Sequence, residues 1–238
     1  MAKVYAGTSG WAYPSWKPGF YPQGLGSAKL LSHYGTRLNS VEVNYTFLRL
    51  PTEELLAAWI EATPSNFKFA IKAPQMITHF KRLRGASKSL TAEFLFSLRV
   101  LKETRKLGPV LFQLPPNFKC DLPLLGGFLA GLPRQVRAAF EFRHDSWFND
   151  EVFGLLHKAN VALCLAESDT LETPPVHTAG FSYFRLRKKT YSPKTRKALA
   201  RKVRHLARRG EVFVYFKHEK TPEGALYAEE LLAAVRTS

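Results

Sequence analysis

Eight short strand-like runs follow one another along this chain, and in most of them one face turns polar near the C-terminal end. The runs cover residues 3–9, 38–44, 67–72, 110–114, 136–143, 161–166, 181–187 and 212–217. Side chains two apart on a strand share a face. In 136–143, Phe140 and Phe142 therefore oppose Glu141 and Arg143. Val41 and Val43 oppose Glu42 and Asn44. Phe67, Phe69 and Ile71 oppose Lys68, Ala70 and Lys72. Val110 and Phe112 oppose Leu111 and Gln113, Phe184 and Leu186 oppose Tyr183, Arg185 and Arg187, and Val212, Val214 and Phe216 oppose Phe213, Tyr215 and Lys217. A charge at the end of a buried strand is costly unless it is paired or used, so this repetition points to a polar site at the strand ends.

Helical periodicity appears at 52–62, 90–106, 150–159, 193–208 and 222–235, between or after the runs. Thr52 suits an N-cap, with Glu53 and Glu54 in the first turn where they favour the helix dipole. Strands alternating with helices imply a parallel sheet covered by helices. Eight such units in 238 residues fit one (β/α)8 TIM-barrel-like domain over 1–238. The helix after the sixth strand is missing or irregular, because ESDTLETPPVHTAG reads as loop. A doubly wound open sheet is the alternative, although no dinucleotide fingerprint accompanies the strands. In the barrel reading the apolar set faces the helices and the other set faces the axis. Glu42, Asn44, Lys72, Gln113, Glu141, Arg143, Arg185 and Lys217 then converge on the mouth formed by the C-terminal strand ends, where barrel active sites sit.

The chemistry of that mouth follows from its residue types. Glu42 and Glu141 are candidate general acids or bases, and Lys72, Arg143, Arg185 and Lys217 suit a phosphate or carboxylate. The excess of cations favours a small anionic or phosphate-bearing ligand; a ring of internal salt bridges joining strand ends is the structural alternative. His79, His144, His177 and His218 lie in mouth-side loops. With Glu42, Glu141, Asp145 and Asp169 they could build a divalent-metal site, although no ligand spacing supports one and nearby lysines oppose a cation. His79 is the best acid–base candidate among them. The loop GWAYPSWKPGFYP sets Trp11, Tyr13, Trp16, Phe20 and Tyr21 above the barrel. There Trp11, and Trp147 after EFRH, are candidates to stack on a ligand ring, whereas Phe20 and Tyr21 are expected to pack the loop. His218 follows Lys217 at the end of the eighth run and joins the ligand-binding candidates.

The net charge of +16 is unevenly spread. Residues 173–210 hold twelve Lys or Arg and no Asp or Glu, which would attract nucleic acid through counterion release. Within that block, 193–208 reads as a divided helix. Leu199, Val203 and Leu206 form the apolar stripe, and Lys197, Arg201, Arg204 and Arg208 form a basic stripe facing solvent on the barrel flank. Two cysteines, Cys120 and Cys164, are too few for a disulfide framework and suit a reducing cytoplasm. The start MAKVYAGTSG lacks the pattern of a signal peptide, and no stretch is apolar for long enough to span a bilayer, so no membrane partner is expected.

The chain resembles the YecE-like family of uncharacterised proteins. The resemblance is carried by Gly7-Thr8-Ser9-Gly10-Trp11, Phe20-Tyr21-Pro22, Val41-Glu42-Val43-Asn44 with Thr46-Phe47, Leu50-Pro51, the 67–72 run, Thr78-His79, Leu107-Gly108-Pro109, Phe112-Gln113-Leu114-Pro115-Pro116, Glu141-Phe142-Arg143-His144 with Ser146-Trp147-Phe148, and Tyr215-Phe216. It implies a TIM-barrel-like fold and names no substrate, cofactor or reaction. Many relatives carry Arg-x-His-Gly after the seventh strand where this chain has Arg185-Leu186-Arg187-Lys188, and Asn-Asn where it has Lys217-His218. Three functions therefore stand open: a hydrolase or lyase for a phosphate-bearing ligand, a nucleic-acid-binding protein without catalysis, and a metal-dependent isomerase- or endonuclease-like barrel enzyme.

Overall fold

A computed structural model describes residues 3–168 and 172–236. Its strands are β1 Val4–Thr8, β2 Ser40–Val43, β3 Lys68–Lys72, β4 Leu107–Gln113, β5 Ala138–Glu141, β6 Ala162–Glu167, β7 Phe181–Leu186 and β8 Glu211–Phe216. Every pair is parallel, in the order β1-β8-β7-β6-β5-β4-β3-β2. Neighbours in space are thus neighbours in sequence, which is a barrel and not a doubly wound sheet. The helices α1 Leu30–Arg37, α2 Glu53–Glu61, α3 Ser87–Ser97, α4 Arg99–Glu103, α5 Leu122–Ala130, α6 Asp150–Lys158, α7 Pro193–Leu206 and α8 Glu223–Arg236 surround it. Thr52 caps α2 as its sequence position predicts, accepting from the Leu55 N–H. None of the described helices is long and apolar enough to cross a membrane.

The alternating phases separate two cores. Phe112 and Phe140 point outward and stack at 5.2 Å beneath Phe128 of α5. Inside the barrel, Tyr5, Phe181, Tyr183, Phe213 and Tyr215 from β1, β7 and β8 face Ala70, Leu111, Ala139, Ala162, Cys164 and Ala166. Bulky rings on one wall against small side chains on the other fill the axis, as a packed barrel requires.

The β1–β2 seam closes mainly through side chains. Asn39 Nδ2 donates to the Val4 carbonyl, and its Oδ1 accepts from the Ala6 N–H at 2.9 Å. The Tyr34 hydroxyl accepts from Thr8 N–H and donates to the Ser40 carbonyl. Above them, Gly10 N–H donates to the Glu42 carbonyl at 2.8 Å. Ser40 Oγ and the Tyr215 hydroxyl on the axis are likewise paired, 2.7 Å apart, consistent with the cost of leaving such groups unpaired.

Three differences from the sequence reading have local causes. The 90–106 periodicity is divided into α3 and α4 between Ser97 and Arg99. Two helices lie where none is expected, α1 and α5. The apolar stripe of α1 is interrupted by Gly35, which lets Pro64 approach closely. In α5, Gly126 and Gly127 weaken the helical signal, but Asp121 caps the first turn by accepting from Leu124 N–H. After β6 no helix occurs among the described residues. Thr173 and Thr178 fasten the loop instead: Thr173 N–H donates to the Ala166 carbonyl, and the Thr178 hydroxyl bridges Leu163 N–H and the Val161 carbonyl.

Gly7 is the tightest point of the seam, because a β-carbon there would lie 1.8 Å from the Ser40 carbonyl oxygen and 2.5 Å from the Tyr34 hydroxyl. Gly7→Ala is expected to lower stability by about 1–3 kcal/mol or more through overpacking. Urea unfolding checks this; an unchanged midpoint would show that the seam does not constrain the barrel.

Candidate active site at the barrel mouth

Arg185 near the end of β7 joins two carboxylates from distant strands. It is 3% exposed, and Glu42 on β2 and Glu141 on β5 are fully buried. Its Nε and Nη2 donate to Glu42 Oε1 at 3.1 and 2.7 Å, and its Nη1 donates to Glu141 Oε2 at 2.5 Å. Ser9 Oγ also donates to Glu42 Oε1, and the Tyr183 hydroxyl donates to Oε2 at 2.7 Å. Around Glu141, Gln113 Nε2 donates to Oε2 at 2.9 Å. Its Oε1 receives Arg143 Nε at 3.0 Å and Arg187 Nη2 at 2.8 Å.

These contacts set the charges. Burial alone would raise the Glu42 carboxyl, but the Arg185 guanidinium and the hydrogen bonds from Arg185, Ser9 and Tyr183 hold it below the usual carboxylate range. Burial is likewise overcome at Glu141, where Arg185, Arg187, Arg143 and Gln113 hold the carboxyl far below that range. Both groups are anions whose oxygens are already engaged. Their convergence matches the sequence reading, but the proton-transfer role expected of them does not fit: a strongly depressed carboxylate with its lone pairs engaged is a poor general base and no acid at neutral pH.

Lys72, at the end of β3, lies beside this cluster without a carboxylate partner among the described residues. Its ammonium sits 3.8 Å from the centroid of the Phe47 ring. Burial and the nearby Arg185 and Arg143 charges lower it to about 8, against the opposing pull of Glu42 and Glu141. His79 packs edge-on against the other reach of Phe47, with ring centroids 4.9 Å apart. It lies on the single π turn Met76–Phe80 that follows β3, a local irregularity often found at functional sites. Burial, with Lys72, Arg143 and Arg82 nearby, pushes the imidazole down and keeps it neutral. Thr78 Oγ1 and His79 Nδ1 are hydrogen-bonded at 2.9 Å, with the donor set by the imidazole tautomer.

Other expected site residues are placed differently. Asn44 is half-buried at the start of the 3-10 turn after β2, near the mouth. Trp11 is half-buried and packs edge-on against Trp59 of α2 at 5.4 Å. Trp147 offers no face to a ligand, because it is fully buried, stacked on Phe142 at 4.7 Å, with its indole N–H donating to the Phe118 carbonyl. Lys217 follows β8, is exposed, and pairs with Glu219 at 3.5 Å. His218 packs between Tyr191 and Tyr227 at the helix layer, so the eighth strand end contributes neither residue to the cluster. Phe20, Tyr21 and Trp16 form the buried loop core. His144 Nδ1 accepts from Ser146 N–H and His177 is exposed near Ser182. Asp169 lies outside the described residues. Among the described residues no group of three or more His, Cys, Asp or Glu side chains could hold a metal ion.

Ser9, Tyr183 and Arg187 complete the cluster without having been singled out for it from the sequence. Each shares the inward phase: Arg187 is two residues beyond Arg185, Tyr183 two before it, and Ser9 two beyond Gly7. The period-two rule that selected Arg185 also reaches them.

The family profile described as "Protein of unknown function DUF72" matches residues 5–238. The chain belongs to the DUF72 family. This DUF72 chain is 32% identical over 182 residues to UPF0759 protein YecE of Escherichia coli K12, covering 74% of the chain and 61% of YecE. It is 30% identical over 152 residues to UPF0759 protein YunF of Bacillus subtilis, covering 61% of the chain and 52% of YunF. The chain thus matches just over half to about three-fifths of these curated relatives' lengths. The crystal structure of a DUF72 family protein from Thermotoga maritima superimposes with a TM-score of 0.86 at 27% identity, over 98% of this chain and 99% of that one. A DUF72 family protein from Enterococcus faecalis superimposes with a TM-score of 0.81 at 19% identity, over 99% of this chain and 96% of that one, and so shares the fold.

Removing Arg185 tests the electrostatic reading. Arg185→Met leaves Glu42 without its guanidinium and is expected to cost about 3–5 kcal/mol at neutral pH. In the native protein both carboxyls lie below their ordinary value of 4.5, so their stabilisation is present above that pH and fades as pH falls through the lower folded values. In the variant, burial raises Glu42, so protonation relieves it and stability rises as pH falls from 8 to 5. Thermal melts across that range check the crossing trends; parallel curves for both proteins would refute it.

Proposed function

We propose that the barrel mouth is an active site for a small molecule bearing a phosphate or carboxylate, on which it carries out proton-transfer chemistry of the hydrolase or lyase kind. The observation that carries this reading is the charge balance at the strand ends. Glu42 and Glu141 supply two negative charges, and Arg143, Arg185, Arg187 and Lys72 supply four positive ones. A ring of internal salt bridges would need no such surplus. Arg185 is fully engaged within the floor, but the guanidinium of Arg143 binds Glu141 only through Nε, and its Nη groups have no hydrogen-bond partner among the described residues. The Arg187 Nε is buried without a partner there. Together with Lys72, these groups offer donors to an incoming anion, and guanidinium suits an oxyanion's planar acceptor pairs.

In this assignment the carboxylates orient the arginines rather than handle protons. The Lys72 amine, lowered to about 8, and the neutral imidazole of His79 are the basic groups beside the floor that no carboxylate engages among the described residues. They are the acid–base candidates of this assignment. Titration calorimetry with inorganic pyrophosphate is expected to show binding that Arg143→Ala weakens about ten- to a hundredfold, the loss of one or two charge-assisted hydrogen bonds. Equal affinity in the variant, or no binding by either protein at low salt, would sink the proposal.

A second reading rests on α7. Lys197 and Arg201 are exposed along it and Arg208 is exposed in the turn just beyond its end, and Arg196, Lys197, Arg201 and Arg204 line a cavity of about 220 Å³ between α7 and α8. Arg204 departs from the expected solvent stripe, since it is half-buried and donates to the Ala234 carbonyl at 2.6 Å. The exposed three would contact the phosphates of a nucleic acid. Lys197→Glu/Arg201→Glu/Arg208→Glu is expected to abolish single-stranded RNA binding measured at low salt and to leave pyrophosphate binding intact. Unchanged RNA affinity would refute this contact.

A further inference from the structure

We infer that Lys72 is a nucleophile that forms an imine with the carbonyl group of the anionic substrate. This rests on the mouth being the anion site proposed above and goes beyond it by naming the reacting group and the substrate class, a phosphate- or carboxylate-bearing aldehyde or ketone. An amine acts as a nucleophile only when it is accessible, lacks a fixed carboxylate partner and is free of its proton for an appreciable fraction of time. Lys72 meets each condition. It is half-buried at the end of β3, directed at the Phe47 ring, and unpaired by any carboxylate among the described residues. Burial disfavours its charge, as do the neighbouring Arg185 and Arg143 cations, and these outweigh the opposing pull of Glu42 and Glu141. Against an ordinary lysine amine its free-base fraction at pH 7 is on the order of a hundredfold higher. Arg143 both disfavours the ammonium and offers free donors to the anionic substituent, so the substrate's charge would be neutralised beside the amine.

The step balances without an oxidant or reductant. The Nζ lone pair attacks the carbonyl carbon while the C=O π pair moves to oxygen. One proton passes from nitrogen to that oxygen, giving a carbinolamine. Departure of the hydroxyl as water, with a second proton from the nitrogen, leaves C=N; protonation of the imine nitrogen makes it an electron sink, and water reverses the addition. His79, sharing Phe47 with Lys72 and held in its neutral form, is placed to relay the protons.

Pyridoxal 5′-phosphate is a suitable probe because it carries both an aldehyde and a phosphate, and pyridoxamine 5′-phosphate carries the phosphate alone. One equivalent of the aldehyde is added to the full chain at pH 7.5, reduced with borohydride, and the adduct is located by peptide mass spectrometry. Lys72 is expected to carry at least about tenfold more label than any other lysine, inorganic pyrophosphate is expected to suppress it, and Lys72→Arg is expected to lose it. Binding of pyridoxamine 5′-phosphate by calorimetry reports whether the mouth of each protein is intact. If pyridoxamine 5′-phosphate binds in competition with pyrophosphate but label spreads evenly over surface lysines, the nucleophile is refuted and the anion site stands. If neither compound binds and no label concentrates at Lys72, both fail.

Discussion

The mouth of this barrel is organised by one guanidinium between two buried carboxylates. Arg185 from β7 reaches Glu42 on β2 and Glu141 on β5, so a single side chain spans the floor and fixes three strand ends relative to one another. Burying three charges would be prohibitive without compensation. The compensation comes from neighbours in the same layer: Ser9 and Tyr183 for Glu42, and Gln113, Arg143 and Arg187 for Glu141. The small residues Ala70, Ala139 and Ala166 lie on the same inner wall, Ala166 in register with Arg185. The packing of the axis and the chemistry of the mouth are therefore one arrangement.

Much of this could be read from period-two alternation, because a barrel strand buries both faces and its inward set must suit a confined axis. The rule correctly turned Glu42, Gln113, Glu141 and Arg185 inward and Phe140 and Phe142 outward. It failed at Lys217, where β8 ends at Phe216 and the chain turns away, taking with it His218, which was chosen for its loop position. A strand's phase says nothing beyond its last residue. Trp147 failed for a different reason. A tryptophan following a polar strand end is equally at home on a ligand or beneath a loop, and only the Phe142 ring and the Phe118 carbonyl decide between them. Arg204 shows the same limit on a helix, since its stripe position faces solvent on an isolated α7 but meets α8 in the assembled barrel.

The elements that escaped the sequence reading share a feature: their local propensity is weak and tertiary contact supplies the rest. α1 contains Gly35 because Pro64 packs against it, and α5 contains Gly126 and Gly127. Conversely, the stretch between β6 and β7 looked like loop and is loop among its described residues, because Thr173 and Thr178 satisfy the strand's backbone groups without a helix. Prolines and threonines in that segment compete with helix for the same donors and acceptors.

The division of labour at the mouth follows from which groups the floor has already engaged. A carboxylate that receives four hydrogen bonds is locked in charge and orientation; it can aim arginines but cannot exchange protons at neutral pH. Every cation it aims adds to the positive potential above the floor. In the proposed site that potential would draw an anion in, and together with burial it disfavours protons on the basic groups at its edge. Lys72 and His79 stand at that edge, both against Phe47, and both are pushed toward their neutral forms. Burial is the first cause at both, and Arg143 adds to it, while the carboxylates of the Glu42–Arg185–Glu141 bridge pull the other way. In the proposed site an arriving phosphate or carboxylate would meet the arginines with this amine and imidazole beside them.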